Sequence, residues 1–136
     1  MKDTHFGKEM ANWYRAYENC RELGSELVTF EASREFDAVN WYLKNKDVRS
    51  NHWTSGNDLA HTGIHNWFTN AKLIDINRWA PTQSNNRGGE QHCVHMCCRS
   101  KPSKDFRLND KSCKGSSMKY VWELPVQGST PFIVGK

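Results

Sequence analysis

The sequence has no apolar run long enough to cross a membrane and no Asn-x-Ser/Thr acceptor for N-glycosylation. It also lacks the Gly-x-Ser-x-Gly turn of serine hydrolases, a phosphate-binding loop and a dinucleotide-binding fingerprint. No pair of carboxylates stands in a context that demands acid and base roles. These absences argue against a membrane span and against an enzyme, so we expect a binding protein.

Basic and acidic residues are mixed along the chain, with no long segment of one sign. Nineteen Lys and Arg stand against fifteen Asp and Glu, a formal net charge of +4, and basic residues gather only between Arg99 and Lys104. Nucleic-acid binding usually needs basic residues clustered on one face. We therefore expect no nucleic-acid partner.

Aromatic residues are plentiful. The 136 residues include six Trp, six Phe and four Tyr, enough for a core built from a few large side chains. A chain of this length usually forms one compact domain. Disorder and a two-domain organisation are therefore both disfavoured.

A first helix is predicted after Asn12, which can serve as its N-cap. Apolar side chains recur there at helical spacing, at Trp13, Ala16, Tyr17, Cys20 and Leu23. Gly24 provides the stop.

A short extended stretch, Leu27 to Phe30, separates this helix from a second one. Ser33 is predicted to cap the second helix, which should end near Asn45. Its buried stripe is Phe36, Val39, Asn40 and Leu43.

The character of the sequence changes between His52 and Asp110, where Gly, Asn, Asp, Ser and Thr interrupt every periodic pattern. Turn-rich segments of this length are usually functional when they are ordered. Trp53, Trp67 and Trp79 are spaced through the segment and would serve no purpose in a disordered linker. We predict an ordered, loop-rich lobe.

Two strands are predicted in the second half of the chain, from Gln91 to Cys98 and from Tyr120 to Leu124. In the first of them, Cys93, His95 and Cys97 should share one face. Residues 126–136 are predicted to form an irregular tail.

This layout resembles the C-type lectin family, and especially its secreted insect members. The similarity runs from about His5 to Leu124 and assigns residues 1–125 to one C-type-lectin-like domain. It implies an α+β fold with two helices, small antiparallel sheets and a long loop-rich binding lobe. The segments that carry it are Trp13 through Leu23, Trp53-Thr54-Ser55-Gly56-Asn57-Asp58-Leu59, Trp79-Ala80-Pro81, Gly88-Gly89, Cys93-Val94, Asn109-Asp110 with Cys113, and Tyr120-Val121-Trp122-Glu123.

The resemblance implies one calcium ion in the lobe, held by side-chain oxygens that also contact a bound sugar. Calcium takes six to eight oxygen ligands, and vicinal sugar hydroxyls can supply two of them. The carried-over carbohydrate-binding residues are Gln83, Asn85, Gln91, Asn109 and Asp110. The same five are the expected metal ligands, with Glu90 joining them if the loop slips by one residue.

Three departures from the family pattern bear on this site. Ser84 replaces a proline whose cis peptide orients the flanking ligands, and a cis bond before a non-proline residue costs about 2.5 to 4 kcal/mol. Gln91 stands where the family has a glutamate, so the ligand set carries one formal negative charge. Amides at both Gln83 and Asn85 match neither the mannose-type nor the galactose-type pattern.

From these departures we expect a weak calcium site, with a dissociation constant at or above about 10⁻⁴ to 10⁻³ M. A second calcium site of the family is expected to be absent, because Thr62, Asn86 and His92 replace its carboxylates and only Asp58 remains. The alternative is that the candidate ligands are ordinary polar turn residues.

The resemblance also implies a disulfide between Cys93 and Cys113. The family's long-range partner for Cys20 is replaced by Trp122, so we hypothesise that either Cys97 or Cys98 bonds to Cys20. Five cysteines indicate an oxidising compartment, and the odd one would be free or bonded to a second chain. We expect a secreted, extracellular protein.

A rival hypothesis makes the segment His92 to Cys98 a zinc site, because it is rich in His and Cys. It is disfavoured, since His92 and His95 should point to opposite faces of a strand. His61 and His65 have the spacing of a helical metal site, but Gly63 lies between them. We predict that they are surface loop residues.

Two functions follow. The first is a calcium-dependent lectin that binds glycans on microbial or host surfaces, in innate immunity. The alternative is a calcium-independent module that binds a protein partner, either through a disulfide or non-covalently.

Overall fold

The computed structural model describes residues 3–81, 90–100 and 104–124. Two helices and seven strands lie within these residues, and the class is α+β, as predicted. The first strand, Asp3–Phe6, was not predicted from the sequence because it has no apolar alternation. The elements are β1 (Asp3–Phe6), α1 (Trp13–Glu22), β2 (Glu26–Leu27), α2 (Ser33–Asn45), β3 (His52–Asn57), β4 (Asn66–Trp67), β5 (Cys93–Ser100), β6 (Asp105–Lys111) and β7 (Lys119–Leu124).

Helix α1 begins and ends where its sequence predicts. The Asn12 side chain accepts a hydrogen bond of 2.8 Å from the backbone N–H of Arg15, which satisfies one of the free donors of the first turn. Trp13, Ala16 and Cys20 are buried on one face. Gly24 follows the helix with a φ of +67°, a conformation that glycine adopts without strain.

Helix α2 corrects one prediction. Ser33 is its first residue and not its N-cap, which is Ala32 and makes no side-chain capping bond. The Glu35 carboxylate instead accepts a bond of 2.7 Å from the N–H of Glu31, just before the helix. The predicted stripe is buried at Phe36, Val39 and Leu43.

The strands run in the order β1-β7-β3-β5-β6, with β2 also paired to β7 and β4 to β3. All these pairs are antiparallel except β3 with β7, which is parallel. The predicted antiparallel pairing is thus present in five of the six described strand pairs, and one parallel pair joins them into a mixed sheet. A parallel pair needs a long crossover, and nothing local in the sequence encodes it.

Strand β5 lies in the interior of the sheet and is shifted by two residues from the predicted Gln91 to Cys98. Val94 and Met96 join one buried cluster with Phe30, Phe36 and Trp67. Cys93 joins a second cluster with Trp13, Cys20, Trp53 and Cys113. Both faces of β5 are therefore covered, and the sheet is the layer between two cores.

Neither helix in the described part of the chain is long and apolar enough to span a membrane.

Candidate functional site

Strand β6 carries Asn109 and Asp110, the pair that the family resemblance assigned to calcium and sugar binding. Its burial alternates residue by residue, so Asn109 is partly exposed while Asp110 is only 1% exposed. Asn109 lies opposite His95 on β5, and Asp110 lies opposite Val94. Because successive strand residues point to opposite faces, the two side chains leave β6 on different sides of the sheet.

The Asn109 side chain offers an oxygen acceptor. Its Nδ2 is 3.9 Å from Sγ of Cys98, and its backbone carbonyl is 2.9 Å from Nδ1 of His95. Among the residues that the structure describes, Oδ1 of Asn109 is buried and has no hydrogen-bond partner. A buried amide oxygen without a partner is costly, and a cation or a hydroxyl group would satisfy it.

The predicted ligands that precede β5 are only partly described. Glu90 is exposed and Gln91 is half-buried. The pairing of Cys93 with Lys111 brings the start of β5, two residues after Gln91, beside the end of β6. Gln83 and Asn85 lie outside the described residues, as does Ser84.

The one remaining carboxylate of the family's second calcium site, Asp58, has a side chain that is completely buried. Its Oδ2 accepts a hydrogen bond of 2.7 Å from the N–H of Gly63. Its Oδ1 lies 2.8 Å from Nδ1 of His92, and its Oδ2 lies 3.7 Å from Nε2 of His65. Two imidazoles and a backbone donor thus surround the carboxylate on which the family's second ion depends.

His65 corrects the prediction of a surface residue. Its side chain is 9% exposed, and its ring packs against Trp79 with ring centroids 5.1 Å apart. Burial lowers the pKa of His65, while the neighbouring Asp58 and Asp110 carboxylates oppose that shift. His61, by contrast, is exposed as expected.

The cluster of Asp58, His65 and His92 was missed from the sequence. The available signal was that His92 stands at a carboxylate position of the resembled family. That signal identified a lost ligand but could not show that the imidazole contacts Asp58, since the two residues are 34 positions apart.

The cysteines also require a correction. Cys93 and Cys113 form a disulfide, as the resemblance implied. Cys97 bonds to its neighbour Cys98, and Cys20 is a free thiol, so the hypothesis of a bond from Cys20 to Cys97 or Cys98 was wrong.

The reason is spatial. Cys20 is buried in the same cluster as the disulfide of Cys93 and Cys113, and Cys93 is the first residue of β5. Cys97 lies four residues further along that strand. Burial raises the pKa of the Cys20 thiol to about 12, so it stays protonated. At the other end of β5, the strand register shifts between Cys97 and Ser100, and Cys98 adopts a φ of +70°. In a regular strand the side chains of Cys97 and Cys98 would point to opposite faces. The register shift interrupts this alternation, so the two sulfur atoms can meet.

The donor atoms of the described residues limit which metal ion the site could hold. No group of three His, Cys, Asp or Glu side chains able to hold a metal ion occurs within residues 3–81, 90–100 and 104–124. Calcium requires oxygen donors, and the described part of the site supplies the Asp110 carboxylate and the free amide oxygen of Asn109. This donor set fits calcium in chemistry but carries little negative charge.

Comparisons with known proteins agree on one family. The family model "Lectin C-type domain" matches residues 9–121. C-type lectin 37Da of Drosophila melanogaster is 51% identical over 134 residues, which cover 96% of this chain and 72% of the relative.

Two solved structures share the fold at low identity. The human scavenger receptor C-type lectin carbohydrate-recognition domain matches with a TM-score of 0.76 at 20% identity, covering 92% of each chain. The Ca²⁺-independent C-type lectin SPL-2 from Saxidomus purpuratus matches with a TM-score of 0.74 at 19% identity, covering 93% of this chain and 87% of the other.

Proposed function

Since this chain belongs to the C-type lectin family, whose members are carbohydrate-binding proteins and not enzymes, we propose that its lobe binds glycans with the help of one calcium ion. The ligands in this proposal are Gln83, Asn85, Gln91, Asn109 and Asp110, with Glu90 as the neighbouring carboxylate. When bound, calcium would supply coordination positions for two vicinal sugar hydroxyls.

The observation that carries the proposal is the buried Oδ1 of Asn109, which has no hydrogen-bond partner in the described part of the chain. The amide can accept through this oxygen while Nδ2 is directed at Cys98. Asp110, the next residue, brings the negative charge that a cation needs.

We further propose that the protein is secreted and that its partners are glycans on microbial or host surfaces, in innate immunity. The two disulfides of the described residues support an oxidising compartment. The role in immunity rests on the family resemblance alone.

The test is an NMR amide titration with calcium, then mannose, then galactose, with a chelator added at the end. Calcium should shift amides of residues 83–91 and 109–110, and one of the two sugars should enlarge those shifts. Asp110→Asn should lower calcium affinity at least tenfold, because it removes the only carboxylate among the five principal ligands. Asp75→Asn, which makes the same charge change at an exposed loop position, should leave the affinity unchanged.

Unchanged calcium affinity in Asp110→Asn would contradict the ligand assignment. No response up to about 10 mM calcium, beyond the range of extracellular modules, would contradict calcium dependence itself.

A second candidate is a calcium-independent binding module, and a different observation favours it. Asp110 is the only carboxylate among the five principal ligands, and Asp58 is completely buried and already bonded to Gly63 and His92, so little negative charge is left to attract calcium. A protein partner, covalent or non-covalent, or a glycan would then bind without calcium. Ligand binding that persists in the chelator would select this function.

A further inference from the structure

An open groove of about 640 Å³ lies between β1, helix α2 and the first residues of β3 and β7. This volume falls within the range of 300 to 1,000 Å³ that is typical of small-molecule sites. The groove shares no residue with the candidate calcium and sugar site. Any ligand that it binds would therefore be independent of the lectin function.

The floor of the groove is apolar. Val39 and Leu43 reach it from α2, Phe6 from β1 and Val48 from the segment after α2. The ring of Phe6 stacks on the ring of Tyr42 with centroids 4.8 Å apart, so the two form a continuous aromatic wall. Tyr42 is still 42% exposed, which leaves apolar surface open to a ligand.

Some polar groups of the lining residues are satisfied within the protein, whereas Nε2 of His5 has no hydrogen-bond partner among the described residues. Nδ1 of His52 lies 2.9 Å from the carbonyl oxygen of Ser50. The backbone of β1 is paired with β7 along its whole length, from Asp3 with Leu124 to Phe6 with Val121. Because β1 is the terminal strand of the sheet, the backbone groups on its outer edge have no strand partner in the part of the chain that the structure describes, so the apolar part of a ligand fits the side chains of the floor and not this edge.

The rim of the groove is cationic. Lys8, Lys46 and Lys119 line it, and no Asp or Glu is among the described lining residues. The ammonium group of Lys46 lies 5.6 Å from the centroid of the Tyr42 ring, which places a positive charge beside the aromatic wall. Burial and, to a smaller extent, the positive charge of Lys119 together lower the pKa of the His52 imidazole to about 4. The positive charge of the groove at neutral pH therefore comes from the lysines.

In the described part of the chain, none of these three lysines forms an ion pair with a carboxylate. Lys44 on α2, two residues before Lys46, does form one, with its Nζ 2.7 Å from Oδ1 of Asp105. Unpaired cations around an apolar floor are complementary to a molecule with one anionic end and an aliphatic body.

We propose that this groove binds a monomeric long-chain carboxylate, a fatty acid, with its chain along Phe6, Val39 and Leu43 and its carboxylate between Lys46 and Lys119. Burial of the methylene groups of the chain contributes affinity, and the lysines determine the sign of the charge on the head group.

The probe is sodium dodecanoate, used below its micelle concentration with the full chain, and the readouts are calorimetry and NMR amide shifts. The expected result is saturable binding of one molecule, with shifts confined to residues 4–8, 38–48, 52 and 119. The methyl ester of the same acid, which lacks the charge, should bind at least tenfold more weakly. This ligand comparison needs no variant and so does not depend on how a variant folds.

A pair of matched variants tests the rim. Lys46→Glu with Lys119→Glu should weaken dodecanoate binding at least tenfold. Lys72→Glu with Lys114→Glu changes the net charge equally at exposed positions outside the groove and should not weaken it. Trp41→Ala, on α2 but not among the lining residues, controls for disturbance of the helix.

Four outcomes would overturn the proposal. They are no saturable binding, equal binding of acid and ester, equal loss in both lysine pairs, and association with anionic lipid vesicles in the absence of monomer binding. The last result would identify a membrane surface as the true partner. Because the lectin titration uses other residues, failure of either experiment leaves the other unaffected.

Discussion

Gly56 is held between two buried side chains in the centre of the sheet. A Cβ at this position would lie 2.8 Å from Cδ1 of Ile74 and 2.9 Å from Cβ of Val94. Cβ atoms do not approach other carbons this closely, so one of the neighbours would have to move. Val94 is on interior strand β5 and has little freedom to do so.

Gly56→Ala should therefore lower the free energy of unfolding by about 1 to 3 kcal/mol, the usual cost of overpacking a core. Urea denaturation measures the change. Ser117→Ala, at an exposed position, should stay within about 0.5 kcal/mol of the parent chain. If both variants behaved alike, the close approach at Gly56 would be wrong.

Single residues also show why parts of the candidate site were not predicted from the sequence. His65 looked like a loop residue because it lies among Gly, Thr and Asn, but its ring is buried against Trp79. Asp58 was recognised as a lone carboxylate, yet its contacts with His92 and Gly63 come from the folded loop. Residue type identifies what a side chain can bond to, whereas burial depends on distant segments.

At the scale of elements, the two helices begin differently although both are preceded by a promising cap sequence. Asn12 caps α1 through its side chain, with a bond of 2.8 Å to the N–H of Arg15. Ser33 lies one position too late to cap α2, where Ala32 takes the N-cap position without a side-chain bond. One helix is therefore stabilised at its start by a side-chain bond that the other lacks.

Asn12→Ala should lower the free energy of unfolding by about 1 kcal/mol, because one amide donor of the first turn loses its acceptor. Ser33→Ala is the matched control and should cost less than about 0.5 kcal/mol, since its side chain makes no capping bond. Thermal or urea melts of both variants give the comparison. A larger loss in Ser33→Ala than in Asn12→Ala would contradict the capping assignment.

The strands differ in how far their own residues predict them. Strand β7 was predicted to within one residue, because Tyr120 to Leu124 is rich in β-branched and aromatic residues. Strand β1 has no such pattern. It exists because its four residues pair with β7, from Asp3 opposite Leu124 to Phe6 opposite Val121. Its formation depends on the presence of β7 and not on its own sequence.

For the whole molecule, buried histidines link stability to pH. Burial lowers the pKa values of His52 and His95 to about 4, from an ordinary value of 6.5. Between these values the unfolded chain binds more protons than the folded chain. Stability is therefore fully present above pH 6.5 and is lost as the pH falls toward 4.

The free energy of unfolding should thus decrease from pH 7 to pH 5, by about 2 kcal/mol for each of the two histidines. Urea denaturation at a series of pH values measures this slope. His52→Gln removes one titrating group while keeping an amide donor for the Ser50 carbonyl, so its slope should be smaller. An unchanged slope in this variant would contradict the assignment, because it would show that His52 takes up no additional proton when the chain unfolds.

The sequence by itself determined the class of the protein, both helices, the two principal strands and the family. Each of these depends on neighbours within one segment, such as the helical spacing of Trp13, Ala16 and Cys20, or on motifs read along the chain. The two-residue error in β5 has the opposite origin, because the ends of a strand depend on partner strands that are distant in sequence.

Tertiary structure alone decided how the segments meet. It gave Cys98 the partner Cys97 and left Cys20 a buried thiol, and it directed Asn109 and Asp110 to opposite faces of β6. It also assembled the groove from β1, α2, β3 and β7, whose lining residues range from Thr4 to Lys119. The physical reason is that caps and periodicities are satisfied within a few residues, whereas strand pairing, burial and charge compensation arise only between residues that are distant in sequence.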